Sequence, residues 1–166
     1  GVDSLILTAS VNEASGEPFT AGDSIRAVVD PETLGPRELD IKLSGALAAA
    51  NQTAIFDEKT NTISFSATGR IDAPVGTHSI LSLAYAMRSF NLKPSKDTSN
   101  PINDTRVAVF WENRPYIFTL RPGAAETINL KGETVSAQPI SITTGNPKLD
   151  ALNIKVWLAN DESRTP

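Results

Sequence analysis

Cysteine is absent from the 166 residues, and histidine occurs once, as His78. The first absence excludes a thiol nucleophile, a disulfide scaffold and every thiolate metal site. The second rules out a two-histidine metal site and leaves any Ser–His–Asp triad dependent on one residue. Long apolar runs are missing too: nothing approaches the roughly 18–20 residues of a membrane-spanning helix, so membrane insertion is not expected. Neither sign of charge dominates, with 15 Lys+Arg against 19 Asp+Glu and a net charge of −4. A mildly acidic chain without a basic cluster lacks the footprint of a phosphate-backbone binder, so nucleic acid is not an expected partner. The chain opens at Gly1 with no signal-like start, as expected of a processed mature chain or an expressed segment.

Period-two alternation is what the sequence does contain, the signature of half-buried strands. Leu5, Leu7, Ala9 and Val11 share one face of the first segment. Leu39, Ile41 and Leu43 alternate with Glu38, Asp40 and Lys42, and Ile63, Phe65 and Ala67 with Thr62, Ser64 and Ser66. Val107, Val109 and Trp111 precede Tyr116, Phe118 and Leu120, and Ile154, Val156 and Leu158 close the pattern. Ten Gly and 11 Pro punctuate these runs, ending strands because Gly reaches positive φ and Pro cannot donate to a ladder. About ten or eleven short strands at this spacing predict one all-β domain, an antiparallel β-sandwich of immunoglobulin-like or jelly-roll type. Hairpins are expected across Asp57–Asn61 and Glu112–Pro115. Gly45–Ala50 is Ala-rich and suits a single helical turn. Ile80–Met87 fits both templates; its short length and strand neighbours favour a strand. Lys93–Thr105 reads as a surface loop.

Chemistry is thinly represented. His78 lies in Gly76-Thr77-His78-Ser79, with no G-x-S-x-G elbow anywhere, and reads as a strand-edge histidine. Glu112, Glu126 and Glu133 read as solvated strand-end charges rather than a glycosidase pair. Asp97, Asn100, Asn103 and Asp104 are oxygen-rich, but their spacing misses the Ca²⁺-loop pattern and they suit an ordinary turn. No phosphate-cradling Gly-rich loop is present, so no catalytic residue, metal or cofactor is expected. Asn51-Gln52-Thr53 and Asn103-Asp104-Thr105 match the N-glycosylation sequon. Among large rings, alternation turns Trp111 toward the core and Trp157 away from the Ile154–Val156–Leu158 face. Core packing is the favoured reading for both rings; Trp157, the better placed for the surface or a second sheet, and failing it Trp111, is the candidate for a sugar or partner.

The first segment is an alternating strand followed by a linker-like Glu13-Ala14-Ser15-Gly16-Glu17-Pro18. Such an arm, residues 1–13, can be lent to a neighbour's sheet, leaving 14–166 as the sandwich domain. The run Leu5-Ile6-Leu7-Thr8-Ala9-Ser10-Val11-Asn12-Glu13 resembles the N-terminal arm of cysteine-free pilins of the alternate chaperone–usher pathway, the colonisation-factor and cable-pilus type. The likeness covers about ten residues, and the family's Asp-Pro after the arm is Asn12-Glu13 here. The resemblance implies an incomplete immunoglobulin-like sandwich and an extracellular, cell-surface fibre subunit that polymerises by strand donation. Leu5, Leu7, Ala9 and Val11 would then fill an acceptor groove on another copy. Two other classes fit the same strand count: a viral or phage jelly-roll capsid, spike or decoration protein in a virion, and a carbohydrate-binding or adhesin module with a glycan or host receptor as partner.

Overall fold

Eleven strands are present among the described residues of the computed structural model, which are 3–13, 18–97 and 99–166. Residues 14–17 of the expected linker lie outside them. The strands are β1 Leu5–Ser10, β2 Ser24–Val29, β3 Pro36–Lys42, β4 Gln52–Asp57, β5 Thr62–Phe65, β6 Gly69–Asp72, β7 Thr105–Trp111, β8 Arg114–Pro122, β9 Glu126–Leu130, β10 Glu133–Thr143 and β11 Lys155–Ala159. Helices α1, Ile80–Ala86, and α2, Pro147–Asp150, and 3-10 turns at Gly45–Ala50 and Met87–Ser89 complete the order. The expected hairpin at Asp57–Asn61 joins β4 to β5, and the Ala-rich run forms its helical turn.

The fold is an all-β sandwich of two antiparallel sheets. In the six-stranded sheet each strand pairs with the next in sequence, β1-β2-β3-β4-β5-β6, an uninterrupted meander. The five-stranded sheet runs β11-β10-β8-β7, with β9 added on β10. The described residues group into two compact units, one of residues 1–83 and 108–115, the other of 84–107 and 116–166.

In the first unit, alternation does what the sequence predicts: Leu39, Ile41 and Leu43 are all buried, with Ala27, Val29 and Ala54 beside them. Phe110 of β7 closes this core from the second sheet. Its ring meets Phe56 edge-on at 5.8 Å and 88°, and tilts against Phe65 at 5.3 Å. A wholly buried Phe contributes about 1.5–3 kcal/mol by area alone. The second unit is built around Phe118, Leu120, Ile140, Leu149 and Leu158, all buried.

Ile80–Met87 is a helix and its 3-10 extension, not the expected strand. The physical reason is a reciprocal cap. Ser79 Oγ accepts the Ser82 N–H at 3.1 Å, while Ser82 Oγ accepts the Ser79 N–H at 2.9 Å. Two donors that would be orphaned at a helix start are thereby satisfied. Leu81, Leu83, Ala86 and Met87 are buried.

The N-terminal segment is not a free arm in this chain. β1 ladders antiparallel on β2 over six residue pairs, Leu5 opposite Val29 through Ser10 opposite Ser24. Arg37 of β3 ties its approach: one guanidinium nitrogen donates to the Asp3 carbonyl and, at 2.8 Å, to Ser4 Oγ, while the other is paired with Asp30. Of the four residues expected to enter an acceptor groove, Leu7 alone is buried, at 5% exposure. Leu5 and Ala9 are exposed and Val11 is half-buried. β1 is the outermost strand, so neighbours cover only the middle of its face.

Candidate ligand-binding cleft

The turn preceding β3 is built by Asp30. Its Oδ1 accepts the backbone N–H groups of Glu32 and Thr33 at 2.9 and 3.0 Å, and its backbone N–H donates to Gly35. The Thr33 N–H bond, with that of Glu32 and the Arg37 charge, holds the Asp30 carboxyl below the usual carboxylate range. Leu34 takes a positive φ of 57° to close this turn, and Gly35 follows directly before β3. This fixes one wall of a cleft in the first unit.

The floor is a cross-strand pair. Phe56 of β4 stands opposite Ile63 of β5, both buried, and Phe56 is braced from behind by Phe110. The β4–β5 turn supplies a second wall. Asp57 Oδ1 accepts the Lys59 and Thr60 N–H groups at 2.9 and 3.3 Å. Its carboxyl is held low, chiefly by the Thr60 hydroxyl, and so stays ionised.

The far wall is the segment after β6. Ala73 N–H donates to Asn61, and Thr77 returns both its N–H and its hydroxyl to the Pro74 carbonyl. Gly76 takes φ +76° to make that turn, a conformation costly for residues with a Cβ. The turn holds Val75 out at the rim, 83% exposed. His78 ends the wall. Its backbone bridges β7 by donating to Ala108 and accepting from Phe110, both at 2.8 Å, and its Nδ1 lies 3.2 Å from Ser82 Oγ. Burial lowers its pKa, so the ring is mostly neutral at pH 7.

Together these walls enclose about 410 Å³. Chemically the cleft offers an apolar body and a sparse polar rim. The deciding detail is Glu58. A Cβ on Gly35 would sit 2.6 Å from Glu58 Oε1, so the carboxylate lies directly over the bare glycine backbone. Among the described residues this carboxylate accepts no hydrogen bond and forms no ion pair.

The residues singled out by sequence lie elsewhere. Trp111 is 3% exposed and offers no face to a ligand. Trp157 is on the surface, 36% exposed, rather than packed in the core as favoured for both rings, and is already engaged in the second unit. Its Nε1–H donates to Glu126 Oε1 at 2.6 Å, and Lys155 Nζ stands 5.6 Å from the ring centre. Asp97 accepts the Ser99 N–H and hydroxyl, and Asp104 is paired with Arg121 at 2.8 Å, so the acidic loop's charges serve local structure. Asn51 of the first sequon brackets Leu43, accepting its N–H at 2.6 Å and donating to its carbonyl at 2.8 Å. Of the residues weighed for chemistry in the sequence, His78, read as a strand-edge histidine, lines the cleft.

No protein-family model, no curated protein and no solved structure matches this chain.

Proposed function

We propose that the chain is a non-catalytic binding module whose cleft takes a small, largely apolar ligand. The single observation that carries this reading is the cleft itself: its volume of about 410 Å³ falls within the ~300–1,000 Å³ typical of small-molecule sites. Its floor of Phe56 and Ile63 is rigid because β-sheet pairing and the Phe110 stack hold it. Its polar groups suit holding rather than turnover. Asp57 is committed to its turn, the Thr77 hydroxyl to Pro74 and His78 Nδ1 to Ser82. The test is an NMR titration with 1-octanol, a neutral apolar probe, on the chain and on Ala73→Phe, which fills the space. Saturable shifts at Ile63 and Gly76 that vanish in Ala73→Phe are expected. Absent shifts, or shifts indifferent to the blocking ring, would overturn the reading.

A second reading, assembly with copies of the same chain, is favoured by the outer strand β1, where Leu5 and Ile6 are 42% and 56% exposed. An open edge of this kind can accept a strand from another molecule. The extracellular fibre implied by the pilin resemblance belongs to this reading. Sedimentation of the chain and of Ile6→Lys decides it: association lost in the variant supports assembly, and a monomer in both cases ends it.

A further inference from the structure

We infer that the cleft selects apolar amines: it takes a small molecule whose protonated nitrogen meets the Glu58 carboxylate while its hydrocarbon lies on Phe56 and Ile63. This rests on the cleft being a binding site, and adds the sign of charge it prefers.

Three observations converge on a cation. Glu58 Oε1 lies over Gly35, at the solvent-exposed wall of the cleft, with no internal partner among the described residues. A carboxylate in that position is an unfilled acceptor beside an apolar surface. Next, the described lining residues include two carboxylates, Asp57 and Glu58, and neither Lys nor Arg. Clefts lined by one sign of charge focus their potential and concentrate the opposite ion. Finally, His78 contributes little positive charge at neutral pH because burial favours its neutral form. An anionic ligand such as a fatty acid would meet Glu58 and Asp57 and no Lys or Arg among the described lining residues, the nearby Arg70 charge acting on Asp57.

Size sets the rest of the ligand class. The cleft has room for a chain or ring of several carbons, not for an extended polymer, and the apolar floor lies behind the charged wall. An amphiphile with one cationic end and one short hydrocarbon end satisfies both features.

The expected discrimination is modest because Glu58 is solvent-exposed. Attraction at such a site is worth up to about fivefold in affinity, and repulsion of the opposite sign is comparable, giving roughly tenfold between cation and anion. The test titrates the ¹⁵N-labelled chain at pH 7 with three probes of equal chain length: octylammonium chloride, 1-octanol and sodium octanoate. Octylammonium is expected to bind about tenfold tighter than octanoate, with shifts at Gly35, Ile63 and Gly76. Glu58→Gln, an exposed change, is expected to bring octylammonium and octanoate within about threefold of each other. Gly35→Ala displaces the carboxylate and is expected to do likewise. Equal affinities in the native chain, or a preference that survives Glu58→Gln, would overturn the charge selection while leaving the binding site standing. Failure of all three probes to shift the cleft saturably would overturn the binding reading beneath it.

Discussion

The cleft of the first unit and the Trp157 surface of the second make opposite use of the same chemistry. Each sets a glutamate near an aromatic group and an apolar surface. Around Trp157 the polar groups are satisfied by the chain itself: the indole N–H is held by Glu126, and Lys155 covers the ring. At the cleft, Glu58 is aimed over Gly35 without an internal donor among the described residues, beside walls that enclose space. An exposed aromatic already bonded within its own unit is therefore weaker evidence of recognition than a solvent-facing carboxylate with no internal donor beside an apolar concavity. A ligand at Trp157 would have to break bonds the protein has made, whereas one at Glu58 would displace no internal hydrogen bond among the described residues.

The sharpest way to break this contrast is to remove what holds the cleft floor in place. Phe110→Ala deletes the ring that braces Phe56 and Phe65, and large aromatic truncations in a core cost about 3–5 kcal/mol. Denaturant unfolding should show that loss, and probe binding at the cleft should weaken with it. A change below about 1 kcal/mol would mean the floor does not depend on the stack.

Acid should reach the cleft wall through His78. Burial places its folded pKa below the ordinary value of about 6.5, so on acidification the unfolded chain takes up this proton first. The stability that neutral His78 contributes is therefore whole above about pH 6.5 and is lost as pH falls through the window beneath it. Denaturation midpoints should decline between pH 7 and 5.5, and His78→Gln should flatten that decline. Parallel declines in the two proteins would remove the histidine from the account. The carboxylates held low by their turns, such as Asp57 and Asp30, act only at lower pH.

The smallest effect belongs to the Trp157 surface. Trp157→Phe removes one exposed hydrogen bond to Glu126 and should shift stability by about 0.5 kcal/mol or less, with no change in probe binding. A glycan array that lights up for the native chain and darkens for Trp157→Ala would instead restore the sugar-binding alternative.

Strand alternation made most of this fold readable. The Leu39–Leu43 face and the β4–β5 hairpin follow from local rules of period and turn chemistry. The helix α1 escaped because its apolar positions satisfy two periods at once. The deciding signal was Ser79 with Ser82 three residues on, a cap in which serine stands where glutamate is usual. β1 was legible as a strand but not as its own sheet's edge: alternation says which face is apolar, not which molecule covers it. The Arg37 ties to Asp3 and Ser4 span more than thirty residues and leave no local trace. The cleft escaped for the same reason. Its walls come from the Asp30–Gly35 turn, the β4–β5 turn and the segment from Ala73 to His78, which only the completed meander brings together.

Where an apolar amine lands on the chain decides between the cleft and the Trp157 surface. In a ¹⁵N titration with octylammonium, saturable shifts are expected at Gly35, Ile63 and Gly76 while the Trp157 indole signal stays in place. Movement of the Trp157 indole with a silent cleft would contradict binding at the cleft.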